Sequence, residues 1–246
     1  MDILVCYDVS KECLRWVEHT NQWMAFASLK EVHISGSMDV VGGKAMVIGG
    51  TYGENRNHGV MEIYDPIGRQ WITGPTLLPV RRVHSTVVLN QTALVVIGGY
   101  NSNHMIKSVK ILDSIAMTWD DLDDLPVAAY NMACGVVNNT TLLCVGGASP
   151  GAIVNTAYGL DMDAANPKWT RRAMYDIDEP GLVGFMFHLR DYVYCVTLRT
   201  TGFEGLTKLR RMSLTDASPK WEVMEHFSVP RAFVASYVTN GYVIQP

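Results

Sequence analysis

No stretch of this 246-residue chain approaches the roughly 18 consecutive apolar residues that a membrane-spanning helix requires. A spanning helix is therefore excluded, and no membrane partner is expected. Charge is sparse as well. Only 18% of residues are charged, the formal balance is −4, and no basic cluster stands anywhere of the kind that binds a phosphate backbone. Nucleic acid is accordingly not expected as a partner. With 48% hydrophobic residues the chain is also too apolar to stay disordered. The opening segment, MDILVCYDVSKEC, lacks the basic leader and apolar run of a secretory signal, from which a cytoplasmic location is expected.

Cysteine is scarce. The five residues Cys6, Cys13, Cys134, Cys144 and Cys195 are odd in number and widely spaced, which fits neither a disulfide framework nor a zinc site. Cys134 and Cys144 fall on strands able to pair, so a disulfide stays open between them. In a reducing cytosol buried free thiols are the expectation. Asn90-Gln91-Thr92 and the overlapping Asn138 and Asn139 match the glycosylation acceptor pattern. Without a leader they are read as hairpin turns.

Helical signals are missing too, since no window carries a sustained 3.6-residue period with capping residues. What the chain has instead is a repeat, the feature to seek before any single motif. Trp23, Trp71, Trp119, Trp169 and Trp221 are separated by 48, 48, 50 and 52 residues. The segments around them share one order of signals. VHSTVVL meets the turn NQTA, LVVI runs into Gly98-Gly99, and a polar loop leads to VKILD, a short turn and Trp119. The preceding unit gives DVV, GGK, AMVI, Gly49-Gly50, MEIYD and Trp71. The following one gives CGVV, NNTT, LLCV, Gly146-Gly147, YGLDMD and Trp169. Short runs rich in Val, Ile, Leu and Tyr between Gly, Asn, Asp or Pro are strands. Each unit therefore reads as four antiparallel strands, called a to d in chain order. One such sheet cannot bury both faces alone, whereas stacking several around an axis does so, which predicts an all-β propeller.

On these features the chain resembles kelch-repeat propellers: a double Gly ending strand b, Tyr64-Asp65 ending strand c, and a Trp opening strand d. Leu112-Asp113 and Leu160-Asp161 stand where Tyr64-Asp65 stands, and Pro79-Val80-Arg81-Arg82-Val83-His84-Ser85 resembles the family's approach to strand a. The ends depart from the pattern. Thr197-Leu198 replaces the double Gly in the last full unit, and Cys6-Tyr7 stands in its place near the N-terminus. ILVCY, CLRWV and Trp23 to Ala27 read as strands b, c and d of a blade. The C-terminal AFVASYVTNGYVI reads as strand a, an Asn240-Gly241 turn and a short extra strand, so the ends complete one blade. This predicts a single propeller domain over residues 1–246, with five blades; six blades or an open ring are the alternatives.

The resemblance implies a protein-protein interaction module, such as the substrate-recruiting adaptors of cullin-type ubiquitin ligases or cytoskeleton-associated scaffolds. The alternative it leaves open is a propeller enzyme acting on a sugar-like small molecule, of the galactose-oxidase or sialic-acid-epimerase type. No local ligand pattern announces a metal, and no phosphate-binding Gly loop or Gly-x-Ser-x-Gly nucleophile motif occurs. No catalytic residue, cofactor or metal is expected. The acidic run Asp120, Asp121, Asp123 and Asp124 lacks calcium-loop spacing and reads as a solvated face. His33, His84 and His188 fall at or in strands and read as core histidines.

Binding is expected on the face made by the b–c loops and the d–a crossings. The a–b turns, Gly42-Gly43-Lys44, Asn90-Gln91, Asn138-Asn139 and Arg190-Asp191, are explained by hairpin chemistry. The b–c loops are longer and differ between blades, as binding loops on a rigid scaffold do. Arg and Tyr also make most interface hot spots. The predicted partner-binding residues are Tyr52, Arg56, His58, Tyr100, Asn101, His104, Tyr130 and Arg199, with Arg81 and Arg231, which would serve equally well to brace strand a. Arg82 and Tyr175 lie in the same crossings.

Overall fold

The structure, a computed structural model, describes residues 2–7, 9–53, 56–138, 140–201, 204–216, 218–230 and 242–244. It is an all-β propeller of five four-stranded antiparallel sheets. Blade I holds β1 (Asp2–Cys6), β2 (Cys13–Val17) and β3 (Gln22–Phe26). Blade II is β4 (Ser37–Val41), β5 (Lys44–Ile48), β6 (Met61–Asp65) and β7 (Gln70–Thr73). Blade III comprises β8 (Ser85–Leu89), β9 (Ala93–Ile97), the loop hairpin β10 (Tyr100–Asn101) and β11 (His104–Met105), then β12 (Val109–Asp113) and β13 (Thr118–Leu122). Blade IV repeats that plan with β14 (Ala133–Val137), β15 (Thr141–Val145), β16 (Ala148–Ser149), β17 (Ala152–Ile153), β18 (Ala157–Asp161) and β19 (Trp169–Arg171). Blade V is β20 (Leu182–Leu189), β21 (Tyr192–Thr201), β22 (Glu204–Ser213) and β23 (Glu222–Pro230). Among the described residues, helix is limited to two single 3-10 turns, Glu18–Thr20 and Ala173–Tyr175.

The fourth strand of blade I is β24 (Tyr242–Ile244), which pairs antiparallel with β1 from Asp2↔Ile244 to Leu4↔Tyr242. The segment AFVASYV, expected to be strand a, lies outside the described residues. The strand beside β1 is thus the short one that follows Asn240-Gly241.

Two neighbouring sheets bury a core between them at each of four junctions. Leu4, Cys6 and Cys13 of blade I meet Met38, Ala45 and Val47 of blade II. Met46, Ile48 and Met61 meet Leu94, Val96 and Leu112 across the next junction. Val87, Val95 and Ile97 face Cys134, Leu142 and Leu160. Ala133, Val137 and Leu143 face Val193, Cys195 and Met212. The Trp series pins the same junctions. The indole N–H of Trp71 donates to Ala27 O at 2.8 Å, that of Trp119 to Pro75 O at 3.2 Å, that of Trp169 to Asp123 O at 2.9 Å and that of Trp221 to Tyr175 O at 2.8 Å. Each acceptor belongs to the preceding blade or to the chain leaving it. A large ring fills the gap between sheets while its polar edge is satisfied by a carbonyl that packing would otherwise strand.

Gly98-Gly99 shows why strand b ends as it does. Gly98 has φ +58°, and a Cβ there would stand 2.3 Å from Ala129 O in the crossing to blade IV. The Gly99 N–H donates to that same carbonyl at 2.8 Å. Only a residue without a side chain lets the next crossing come that close. Gly50 and Gly147 bond the crossings at Arg81 O and Gly181 O in the same way, each at 2.8 Å. Blade V has no such crossing among the described residues, and Thr197 takes the glycine position. Its Oγ1 accepts from Arg210 Nη1 at 2.6 Å, and the Arg210 Nε donates to Asp178 Oδ1 at 2.5 Å.

The cysteines correct the expectation of reduced thiols. Cys6–Cys13 and Cys134–Cys144 are disulfides, and only Cys195 is free. Both pairs stand directly opposite on neighbouring strands, Cys6↔Cys13 and Cys134↔Cys144. The register delivers the two sulfurs to one face of the sheet, where they can join.

Candidate functional site

The d–a crossings and b–c loops share one end of the blades, and backbone hydrogen bonds lock them together. In three crossings one residue adopts the left-handed conformation: Ser35 at φ 59°, Val83 at 49° and Asn131 at 53°. Val83 N–H donates to Ser35 O at 2.8 Å and Asn131 N–H to Val83 O at 3.0 Å, a belt running across blades II to IV. A β-branched residue at positive φ is held only where its surroundings impose it. Each b–c loop is then stitched to the crossing that enters its own blade, through the bridges Ile34↔Thr51, Arg82↔Tyr100 and Tyr130↔Ala148.

This scaffold brings Arg82, Tyr100 and Tyr130 into one row. The Arg82 guanidinium lies 5.8 Å from the Tyr100 ring centre, and the Tyr100 and Tyr130 rings meet edge to face at 5.7 Å. All three are half-buried. Asn57 Nδ2 donates to Tyr100 O at 2.9 Å and ties the loop of blade II to the row. Tyr52 lies on the same face, 39% exposed, with its ring stacked 4.2 Å from that of His58. Burial, and then the charges of Glu31 and Glu62, raise its pKa above the ordinary phenol value.

The remaining predicted residues divide. Arg56 and His104 are exposed on the loops, and Asn101 is half-buried opposite His104. His58 is buried: its Nε2 meets Val32 O at 2.9 Å and its Nδ1 accepts from Val60 N–H at 3.2 Å. Burial, and then nearby His33, push its pKa down to about 4, so it is a neutral brace beneath Tyr52. Arg81 is fully buried and braces the blade III loop. It donates to Pro79 O, to Gly98 O, to Ser108 O and to Ser108 Oγ, all within 3.1 Å. Burial lowers its pKa to about 10. The Arg199 backbone pairs with Leu206, and Arg231 lies outside the described residues. The arginine of the crossing that reaches the surface is therefore the half-buried Arg82. In extended backbone neighbours point to opposite sides, so that alternation was the available signal.

A second cluster lies under the same loops. His33 Nδ1 donates to Gly49 O at 2.7 Å, and its Nε2 stands 3.2 Å from Glu62 Oε1. Glu62 also accepts the Lys30 and Glu31 amides, both at 2.8 Å. Burial alone would raise the Glu62 pKa; the hydrogen bonds from His33 and the two amides outweigh it and hold the carboxyl below its ordinary value. These groups are committed to backbone partners and fasten the crossing before blade II. His84 is likewise buried, with Nε2 2.9 Å from Ser37 Oγ. His188, expected in the core, is instead exposed on β20. The acidic run is a paired surface, with Lys110–Asp121 at 2.5 Å, Lys107–Asp124 at 3.2 Å and Lys168–Asp123 at 2.6 Å. Among the described residues, no group of three or more His, Cys, Asp or Glu side chains is placed to hold a metal, and no helix is long and apolar enough to cross a membrane.

The family model for the Kelch motif matches residues 36–78, from the approach to β4 through the indole pin of Trp71. A solved structure described as "Structure of YjhT" is similar in fold, with a TM-score of 0.69 at 14% identity, over 87% of this chain and 75% of that one. No curated protein matches the sequence.

Proposed function

Because the chain is an all-β propeller with a Kelch motif over residues 36–78, we propose that it works by binding a protein partner on the face formed by its b–c loops and d–a crossings. The observation that carries this reading is the row Arg82, Tyr100 and Tyr130. Two aromatic rings and a guanidinium are fixed in place by backbone bridges, so little side-chain entropy is lost on association. Tyr52 and Arg56 extend the surface over blade II. Recruitment to a cullin-type ligase or to the cytoskeleton would be a narrower version of this role. It rests on fold-level analogy alone, and two disulfides count against a reducing compartment.

The test is quantitative capture from native extract by the intact chain, by Tyr100→Ala/Tyr130→Ala and by Lys44→Ala/Arg69→Ala on the opposite face. Loss of the retained protein with the tyrosine variant alone, at an unchanged melting temperature, supports the reading. Loss with the Lys44/Arg69 variant alone would sink it.

A further inference from the structure

We propose that this chain is an N-glycoprotein, carrying one glycan on Asn90 and one on Asn138, at equivalent a–b turns of blades III and IV. Two independent observations meet here. Both disulfides join cysteines that the strand register sets face to face, and cystines persist in the oxidising compartments where asparagine-linked glycans are added. The acceptor sequences Asn90-Gln91-Thr92 and Asn138-Asn139-Thr140 stand in the turns that join β8 to β9 and β14 to β15.

Geometry favours both positions. Asn90, Gln91, Thr92 and Asn138 are exposed. Asn90 and Asn138 turn the chain in the left-handed conformation, at φ 49° and 50°, so their side chains project from a tight hairpin and bury nothing. The a–b turns lie at the end of the blades opposite Arg82, Tyr100 and Tyr130. Glycans there leave the loop face open and cover the end that hairpin chemistry fully explains. In the transfer, Asn Nδ2 attacks the anomeric carbon of a lipid-linked oligosaccharide pyrophosphate. The N–C bond forms as the C–O bond to phosphate breaks, the amide loses one proton, and the lipid pyrophosphate leaves.

The inference is independent of what the loop face binds. It is tested on the protein isolated from its own cells. Treatment with peptide N-glycosidase in heavy-oxygen water, followed by mass spectrometry, should return Asn90 and Asn138 as oxygen-labelled aspartate. Cys6, Cys13, Cys134 and Cys144 should resist alkylation until reduced. Unlabelled asparagine at a turn overturns the assignment for that turn, and alkylation of the four cysteines without reduction overturns the inference as a whole. Because asparagine itself suits the left-handed turn, the sequence variants are Thr92→Val and the double variant Thr140→Val/Thr141→Val, which remove every acceptor pattern at the two turns, the overlapping Asn139-Thr140-Thr141 included, and leave the turn residues. Each should lose one glycan step in gel mobility with an unchanged melting temperature; unaltered mobility in both contradicts the proposal.

Discussion

His58 and His84 lie buried beside other basic groups, and their protonation costs stability. Burial is the main cause in both, followed by His33 for His58 and by Arg81 for His84; it takes the pKa values to about 4 and about 3 from an ordinary 6.5. As pH falls below 6.5 the unfolded chain binds protons at these rings and the folded chain does not, so folding weakens. At pH 5 the difference is about 2 kcal/mol for one fully shifted histidine. Glu62 acts lower down. Its depressed pKa adds stability that is complete above the ordinary value of 4.5 and is lost as pH falls through the folded value. The urea midpoint should therefore drop between pH 7.5 and pH 5 and drop further below pH 4.5; a flat profile across the first interval would show that these rings are not buried and neutral. At this scale sequence alone reads unevenly. Histidine near a strand pointed to core for His33 and His84, but β20 turns His188 outward. Arg81 and Arg82 are the same residue type in adjacent positions, and only the strand phase separates the brace from the binding candidate.

At the scale of elements, the Trp and Gly-Gly periods made the blades legible, because both answer to constraints that recur at every junction. A crossing approaches the end of strand b, and an indole must find a carbonyl. Where the constraint changes, the signal changes with it. Trp23 keeps the spacing but is 47% exposed and packs edge to face on Trp16 at 5.5 Å. Trp71, 1% exposed, holds blade II to the carbonyl of Ala27. Trp71→Phe should cost roughly 2 kcal/mol through the space it empties and the bond it removes, whereas Trp23→Phe should stay within about 0.5 kcal/mol. Equal denaturation midpoints for the two variants would contradict the pin. Of the disulfides, Cys134–Cys144 was open in the sequence as a pairing across two strands and Cys6–Cys13 was not legible, since pairing depends on register and on the redox state of the compartment. The short connection between β14 and β15 sets Cys134 opposite Cys144, and oxidation does the rest.

Across the whole molecule, the junctions are unequal. Four carry a shared core and an indole pin; among the described residues no core cluster joins blade V to blade I. The face of blade V turned away from blade IV shows Phe187, 40% exposed and stacked 5.0 Å from Tyr194, with Arg211 lying 4.8 Å over Tyr192. Amides of β1 to β3 and of β20 and β21 should exchange faster than those of β9 and β15, which are buried on both sides. Uniform protection around the propeller would show that all five junctions are equally firm.

The same exchange measurement, repeated with a captured protein bound, tests the binding face most directly. New protection should concentrate at Arg82, at Tyr100 to Met105 and around Tyr130, and leave Gly42 to Lys44 and Ser114 to Met117 unchanged. Protection confined to those turns, with the loop hairpins exchanging as in the free chain, would contradict binding through the loop face.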